Sequence, residues 1–403
     1  MPRTSLLFAV VLAITLLVAG CTPTTVRRAT GGAADVLTNA AFYSVPRHVP
    51  SAAPGSLFRV QKLHSSPNGA IAWRVIYHSR DLDGRDVLVS GTVISPTSAP
   101  PPGGRTIVAW AHPTTGASRS CGPSSNIAPF DIIEGLTTLL KAGYVVAATD
   151  YPGLGVAGPD SYLIGVSEGN SVLDSARAAQ QIPAAHAGSN LLLWGHSQGG
   201  QAALFAAQSA ASYSPDLHLE AVAVAAPATD LAALLKDDIG DVSGVTIASY
   251  AFQSFSTVYG PTVPGTELDT ILTPAGVKAT PLMARLCLAS GHFELHALAG
   301  KLIGKYLAGD PATTEPWATL LQENTPGKSA LKVPLLVAQG DTDTLVVPST
   351  TAAFVTHECS IGTTVTALHI PKTGHGLVAL RALPRVMSFF AHPEANALAA
   401  PAC

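Results

Sequence analysis

Asn190-Leu191-Leu192-Leu193-Trp194-Gly195-His196-Ser197-Gln198-Gly199-Gly200 is the stretch from which the rest of the chain can be read. A short apolar run bounded by turn residues reads as a buried strand, and the Ala-rich stretch Gln201–Ser212 that follows reads as a helix. Between them lies G-x-S-x-G in strand–turn–helix context, the arrangement that presents a serine on a sharp turn. The turn forces the serine into strained backbone geometry, and side chains at Gly195 or Gly199 would collide with neighbouring backbone. Ser197 is therefore the candidate nucleophile. The helix start behind it offers free N–H groups to a developing oxyanion, the first being that of Gln198. His196 fills the variable position of the turn and reads as a packing residue behind the serine.

Outward from this turn, further short apolar runs alternate with helical stretches. Thr106–Ala111, Tyr144–Ala148, Ala221–Ala226, Leu335–Ala338 and Thr364–Ile370 read as strands buried on both faces. Ile132–Lys141, Ser171–Gln181 and Leu377–Phe390 read as helices. The expected fold is α/β, a mostly parallel central sheet with helices on both faces. Three earlier runs, Leu57–Leu63, Ala70–Ser79 and Val87–Ile94, are separated by turn signals and read as antiparallel edge strands. The gap between Ala226 and Leu335 is far longer than a single crossover needs. It carries apolar helical patches at Leu231–Leu235, Ala284–Leu288 and Leu298–Leu307, and a mainly helical cap inserted at about 232–330 is expected within one domain spanning 46–403.

A nucleophilic serine needs an imidazole to take its proton and a carboxylate to orient the imidazole. After the strand ending at Ala338, the chain reads Gln339-Gly340-Asp341-Thr342-Asp343-Thr344-Leu345-Val346. Asp343 is favoured as the acid, three residues past Gly340 and three before Val346. Asp341 reads as a turn-capping carboxylate. Of the four histidines that follow, His357 falls in a helical stretch, His369 in the last strand and His392 after the final helix. Only His375, in Lys372-Thr373-Gly374-His375-Gly376, sits on a loop that can bring an imidazole over the serine. Asp150, just past the strand Tyr144–Ala148, reads as a brace for the loop Tyr151-Pro152-Gly153.

The composition agrees with a large core. Of 403 residues 47% are apolar and only 12% charged, which excludes a disordered chain. The net charge of −3 argues against a nucleic-acid surface. Part of the positive mean hydropathy, +0.32, belongs to the N-terminus. Residues 1–20 have the basic start and short apolar run of an export signal, too short to span a bilayer. The signal ends in Leu17-Val18-Ala19-Gly20-Cys21, which resembles a bacterial lipobox; that resemblance implies acylation of Cys21. Residues 21–45, small and polar, read as a tether. An exported protein held at the membrane or cell envelope by an N-terminal lipid follows, with simple secretion as the alternative. Setting Cys21 aside leaves Cys121, Cys287, Cys359 and Cys403, an even number that suggests two disulfides with three possible connectivities. No Cys/His spacing suggests zinc, and no cofactor is expected.

Taken together, these stretches resemble the secretory lipase family, capped α/β-hydrolases typified by fungal lipase A. The resemblance is carried by Cys121-Gly122-Pro123-Ser124, by Gly143-Tyr144-Val145-Val146 through Asp150-Tyr151-Pro152-Gly153, and by Gly169-Asn170-Ser171-Val172-Leu173-Asp174. The serine turn, the acid loop and His375 complete it. It covers roughly Phe42 to Cys403. It implies a Ser197–Asp343–His375 triad, disulfides Cys121–Cys287 and Cys359–Cys403, and Thr115 as second oxyanion donor where the fungal enzyme has aspartate. This chain departs from the fungal pattern in having Gln198 instead of glycine, one more residue in the acid loop before its proline, and a strongly diverged cap. The implied function is hydrolysis of lipid-like or acylglycerol esters through an acyl-enzyme. An acyltransferase or peptidase on the same fold, or a non-catalytic anchored binding lipoprotein, are the alternatives.

Overall fold

The structure, a computed structural model, describes residues 23–393 and Cys403. The stretch read as an export signal and Cys21 lie outside the described residues. The described strands are β1 Leu57–Lys62, β2 Ala70–Arg80, β3 Asp86–Pro96, β4 Arg105–Ala111, β5 Val145–Thr149, β6 Ala187–His196, β7 His218–Ala225, β8 Leu335–Gly340 and β9 Val365–Ile370. They form one sheet in the order β1-β2-β3-β5-β4-β6-β7-β8-β9. β1, β2 and β3 pair antiparallel with their neighbours, and every pairing from β5 to β9 is parallel.

The continuous apolar runs divide between two cores because successive side chains on a strand point to opposite faces. Ile107, Ala109, Leu191, Leu193, Val222 and Val224 pack on one face. Val108, Trp110, Leu192, Trp194, Ala221 and Ala223 pack on the other. Helices cover both. The first core takes Val172, Leu173 and Ala176 from one helix and Ala202, Ala203 and Ala206 from the helix that starts at Gln198. The second takes Leu136, Leu139 and Leu140, and Val378, Ala382, Val386 and Phe389 near the C-terminus.

In chain order the helices are α1 Pro23–Leu37, α2 Asn39–Phe42, α3 Leu136–Lys141, α4 Gly165–Gln180, α5 Gln198–Tyr213, α6 Leu231–Asp238, α7 Val242–Tyr259, α8 Pro274–Met283, α9 His292–Ala299, α10 Trp317–Glu323, α11 Pro348–Ile361 and α12 Val378–Ala391. Five of them, α6 to α10, lie between β7 and β8, and this inserted segment buries its own apolar cluster, including Phe252, Phe255, Tyr306 and Trp317. Asp230 and Asp241 cap α6 and α7 by accepting hydrogen bonds from Ala233 N and Gly244 N. None of the described helices is long and apolar enough to cross a membrane.

The stretch expected as a tether is helical instead, over α1 and α2. The small residues that suggested a linker are what allow α1 to lie against the sheet edge. A Cβ at Gly31 would come 2.8 Å from the His64 carbonyl, and one at Gly32 2.2 Å from Ile127 O. Asp35 then accepts from the amides of His64 and Ser65 at 2.9 and 3.0 Å, and from Ser65 Oγ at 2.7 Å. The buried Arg74 guanidinium donates to Asp35 O at 2.9 Å and to Asn39 Oδ1. α3 also begins later than its apolar pattern, because Gly135 at φ 88° interrupts the chain just before Leu136.

Candidate active site

Parallel strands deliver their loops to one end of the sheet, and the loops after β6, β8 and β9 converge there. β6 ends at His196, and Ser197 follows at φ 59°, ψ −120°, in positive-φ space that costs a non-glycine residue strain. The turn is possible only because its flanks lack side chains. A Cβ on Gly195 would lie 2.1 Å from Gly199 O, and one on Gly199 only 1.9 Å from Ala111 O. β8 leads to Asp343 and β9 to His375. These two loops also touch, since a Cβ on Gly340 would lie 2.2 Å from Thr373 O.

The imidazole of His375 bridges the other two groups. Its Nε2 is 2.9 Å from Ser197 Oγ and its Nδ1 is 2.8 Å from Asp343 Oδ2. Asp343 is buried, and its other oxygen accepts from Leu345 N and Val346 N, both at 2.9 Å. Burial works against its ionisation. The hydrogen bond and charge of His375 and the two amides outweigh burial, holding the carboxyl below its usual value. Gln339 braces this loop, donating to Val346 O at 3.0 Å while Thr351 Oγ1 donates to it at 2.6 Å. Arg381 braces the histidine loop through Lys372 O and Thr373 Oγ1, each at 2.7 Å. Asp341 is exposed and receives the Thr373 amide at 3.3 Å, a turn contact away from the imidazole. His357 bonds Gly327 O at 2.7 Å, well separated from this chemistry.

His196 packs its ring 5.0 Å from that of His375 and places Nδ1 2.8 Å from Glu134 Oε2. Asp150 accepts from Ser124 N at 2.9 Å and Ser90 Oγ at 2.6 Å, so it ties the loop after β5 to the loop after β4. Burial raises its carboxyl to about 6, against the pull of those hydrogen bonds.

Beside Ser197 and Gln198 opens a mostly apolar cavity whose walls include Leu231, Leu235, Ile247 and Phe252 from the inserted segment and Leu345 and Val346 from the acid loop. Thr114 lines it, whereas Thr115 does not; the buried Thr115 hydroxyl has no partner among the described residues, and its carbonyl is bonded to Leu288 N at 2.8 Å. Cys121 and Cys287 form a disulfide that joins this loop to the inserted segment, and Cys359 on α11 is bonded to Cys403. Three polar residues at the site escaped the sequence reading. Tyr162 hydrogen-bonds Thr114 Oγ1 at 2.8 Å, Asp238 lines the cavity, and Glu168 accepts from Gln198 Nε2 at 2.7 Å. A lone acid in an uncharged helix start is the only signal that could have singled out Glu168. Among the described residues no group of three His, Cys, Asp or Glu side chains is arranged to hold a metal ion.

A mostly parallel sheet with a serine turn after a central strand, and with an acid and a histidine on later loops, defines an α/β-hydrolase fold. Its solved likenesses carry the same fold. Lipase A of Candida antarctica in its closed state matches with TM-score 0.73 at 19% identity, over 87% of this chain and 84% of that one. The rice cell wall degrading esterase LipA of Xanthomonas oryzae matches with TM-score 0.70 at 20% identity, over 84% and 99%. The secretory lipase family model matches residues 131–392, and the chain belongs to that family. Lipase 9 of Candida albicans is 28% identical over 204 residues, 46% of this chain and 43% of that relative. The match spans less than half of that lipase's own length.

Proposed function

We propose that the chain is a serine carboxylic-ester hydrolase with Ser197, His375 and Asp343 as its triad. The observation that carries this reading is the imidazole of His375 held between Ser197 Oγ at 2.9 Å and Asp343 Oδ2 at 2.8 Å, above a serine at positive φ. Ser197 Oγ attacks the ester carbonyl as its proton passes to His375 Nε2. Asp343 accepts the Nδ1–H and stabilises the imidazolium. The Gln198 amide at the start of α5 receives the oxyanion, with the second donor coming from the Thr114–Thr115 turn. His375 then gives its proton to the departing alkoxide, and water, activated by the same imidazole, releases the acid from Ser197.

The apolar walls of the cavity favour a lipid-like acyl or alcohol group over a charged substrate. The segment of about residues 232–330 is the cap that sets this preference. The chain is exported and held at a membrane by acylation of Cys21, a reading supported by the sequence Leu17–Cys21.

Active-site labelling with a fluorophosphonate tests the chemistry: wild type takes the label and Ser197→Ala does not, whereas an unlabelled wild type sinks the hydrolase reading. A p-nitrophenyl ester series from acetyl to palmitoyl then reads the cavity. Activity on medium or long chains is expected, and a maximum at acetyl would overturn the lipid-like substrate. Faster transfer to added alcohol than to water would make the chain an acyltransferase. Incorporation of radiolabelled palmitate that is lost in Cys21→Ser tests the anchor.

A further inference from the structure

Glu168, in the first turn of α4, is fully buried beside the serine turn. Its Oε1 accepts from Gln198 Nε2 at 2.7 Å and from Leu163 N at 3.0 Å. Among the described residues its Oε2 has no hydrogen-bond partner, and neither does Oε1 of Gln198, although both atoms are shut away from solvent. Two orphaned oxygens on one bonded pair of side chains are costly while both can only accept. A single proton removes both faults. An O–H on Glu168 Oε2 would be the donor that the Gln198 amide oxygen lacks, and a bond between them would close the ring that the Nε2–H···Oε1 bond opens. We propose that Glu168 is kept as the neutral acid and forms a reciprocal acid–amide pair with Gln198, seating the backbone N–H that faces the oxyanion at Ser197.

The surroundings favour this protonation. The titratable groups that face Glu168 are Asp160, Tyr151 and Tyr162, and none of the groups acting on it is a cation. Burial is the largest influence on the carboxyl. It outweighs the hydrogen bonds from Gln198 and Leu163 and, with the Asp160 charge, raises it to about 8. The helix N-terminus favours the ionised form, but that influence is small beside the cost of burying an uncompensated carboxylate. Mechanically the pair clamps α4 to the first residue of α5, one position past the nucleophile. Glu168 touches no reacting atom and is a positioning residue.

The functional half of this inference rests on Ser197 being the nucleophile; the protonation half does not. Infrared difference spectra of the full chain in D2O at pH 6, wild type minus Glu168→Gln, are expected to show the carbonyl band of a protonated carboxylic acid. An ionised-carboxylate band instead overturns the proposal, whatever the activity. In steady-state hydrolysis of p-nitrophenyl butyrate, wild-type kcat is expected to fall as pH rises through about 8, as Glu168 ionises and the pair opens. Glu168→Gln, whose amide can rebuild the reciprocal pair, is expected to lack that alkaline fall. Glu168→Leu is expected to lose about tenfold or more in kcat at every pH with KM nearly unchanged. An alkaline limb that survives in Glu168→Gln, or equal losses in both variants, would remove the positioning role. Should Glu168→Leu not fold, the spectra and the Glu168→Gln profile decide alone. Fluorophosphonate labelling of the same samples reports separately on whether Ser197 is the nucleophile.

Discussion

At the scale of single residues, chemistry and support separate cleanly. Ser197→Ala is expected to lower kcat by about five to six orders of magnitude, because in the proposed triad the nucleophile and its base act as one unit. Asp343→Asn keeps the shape but holds the wrong imidazole tautomer, so a loss of about ten-thousandfold in kcat is expected. Asp341→Asn is expected to leave kcat nearly unchanged, since that carboxylate only receives the Thr373 amide. Steady-state rates on one chromogenic ester check all three. Asp343 titrates below its usual value, so its contribution to stability is present above pH 3.8 and lost as pH falls through its lower folded value. The serine turn was legible because steric necessity writes glycine into the sequence. Gly199 faces Ala111 O at a distance no Cβ could tolerate. Glu168 was not legible, because its partner Gln198 is 30 positions away and no spacing rule links them.

At the scale of elements, the strands were readable because strands buried on both faces leave uninterrupted apolar runs. α1 was not, since small residues signal a linker and a close helix contact equally well, and only the tertiary neighbour distinguishes them. Removing residues 1–45 deletes the Asp35 and Asn39 partners of the buried Arg74 and uncovers the ground beneath Phe42. A truncated chain is therefore expected to melt several degrees lower than one that begins at residue 22, where a mere tether would cost nothing. Calorimetry of the two checks it. The disulfide between Cys121 and Cys287 closes a separation of 166 residues. Replacing both cysteines with serine is expected to cost about 2–4 kcal/mol, read as a shift in the denaturation midpoint.

At the scale of the whole molecule, buried acids set the response to pH. Burial lifts Glu168 to about 8 and Asp160 and Asp238 to about 7, with neighbouring aspartates adding to the rise at Asp238. The folded chain thus holds protons that the unfolded chain has released, and stability falls as pH rises through these values. His112 works in the opposite direction, burial having lowered it to about 4, but only below its unfolded value of 6.5. Between pH 6.5 and 8.5 the melting temperature is accordingly expected to drop, and Glu168→Gln is expected to flatten that drop. A melting temperature that stays level over this interval would show that these carboxyls are already ionised in the folded chain.

The inserted segment leaves the sheet after β7, returns at β8, and is stapled near its middle through Cys287 to the loop that follows β4. A slab hung from two chain ends can turn about the line joining them, like a door on its hinges. A third fixing off that line removes the rotation. While the staple is intact, then, rotation of the segment as a whole is expected to be blocked, and any rearrangement that admits an ester is expected to lie within the segment; reduction of the disulfide is expected to free the larger movement.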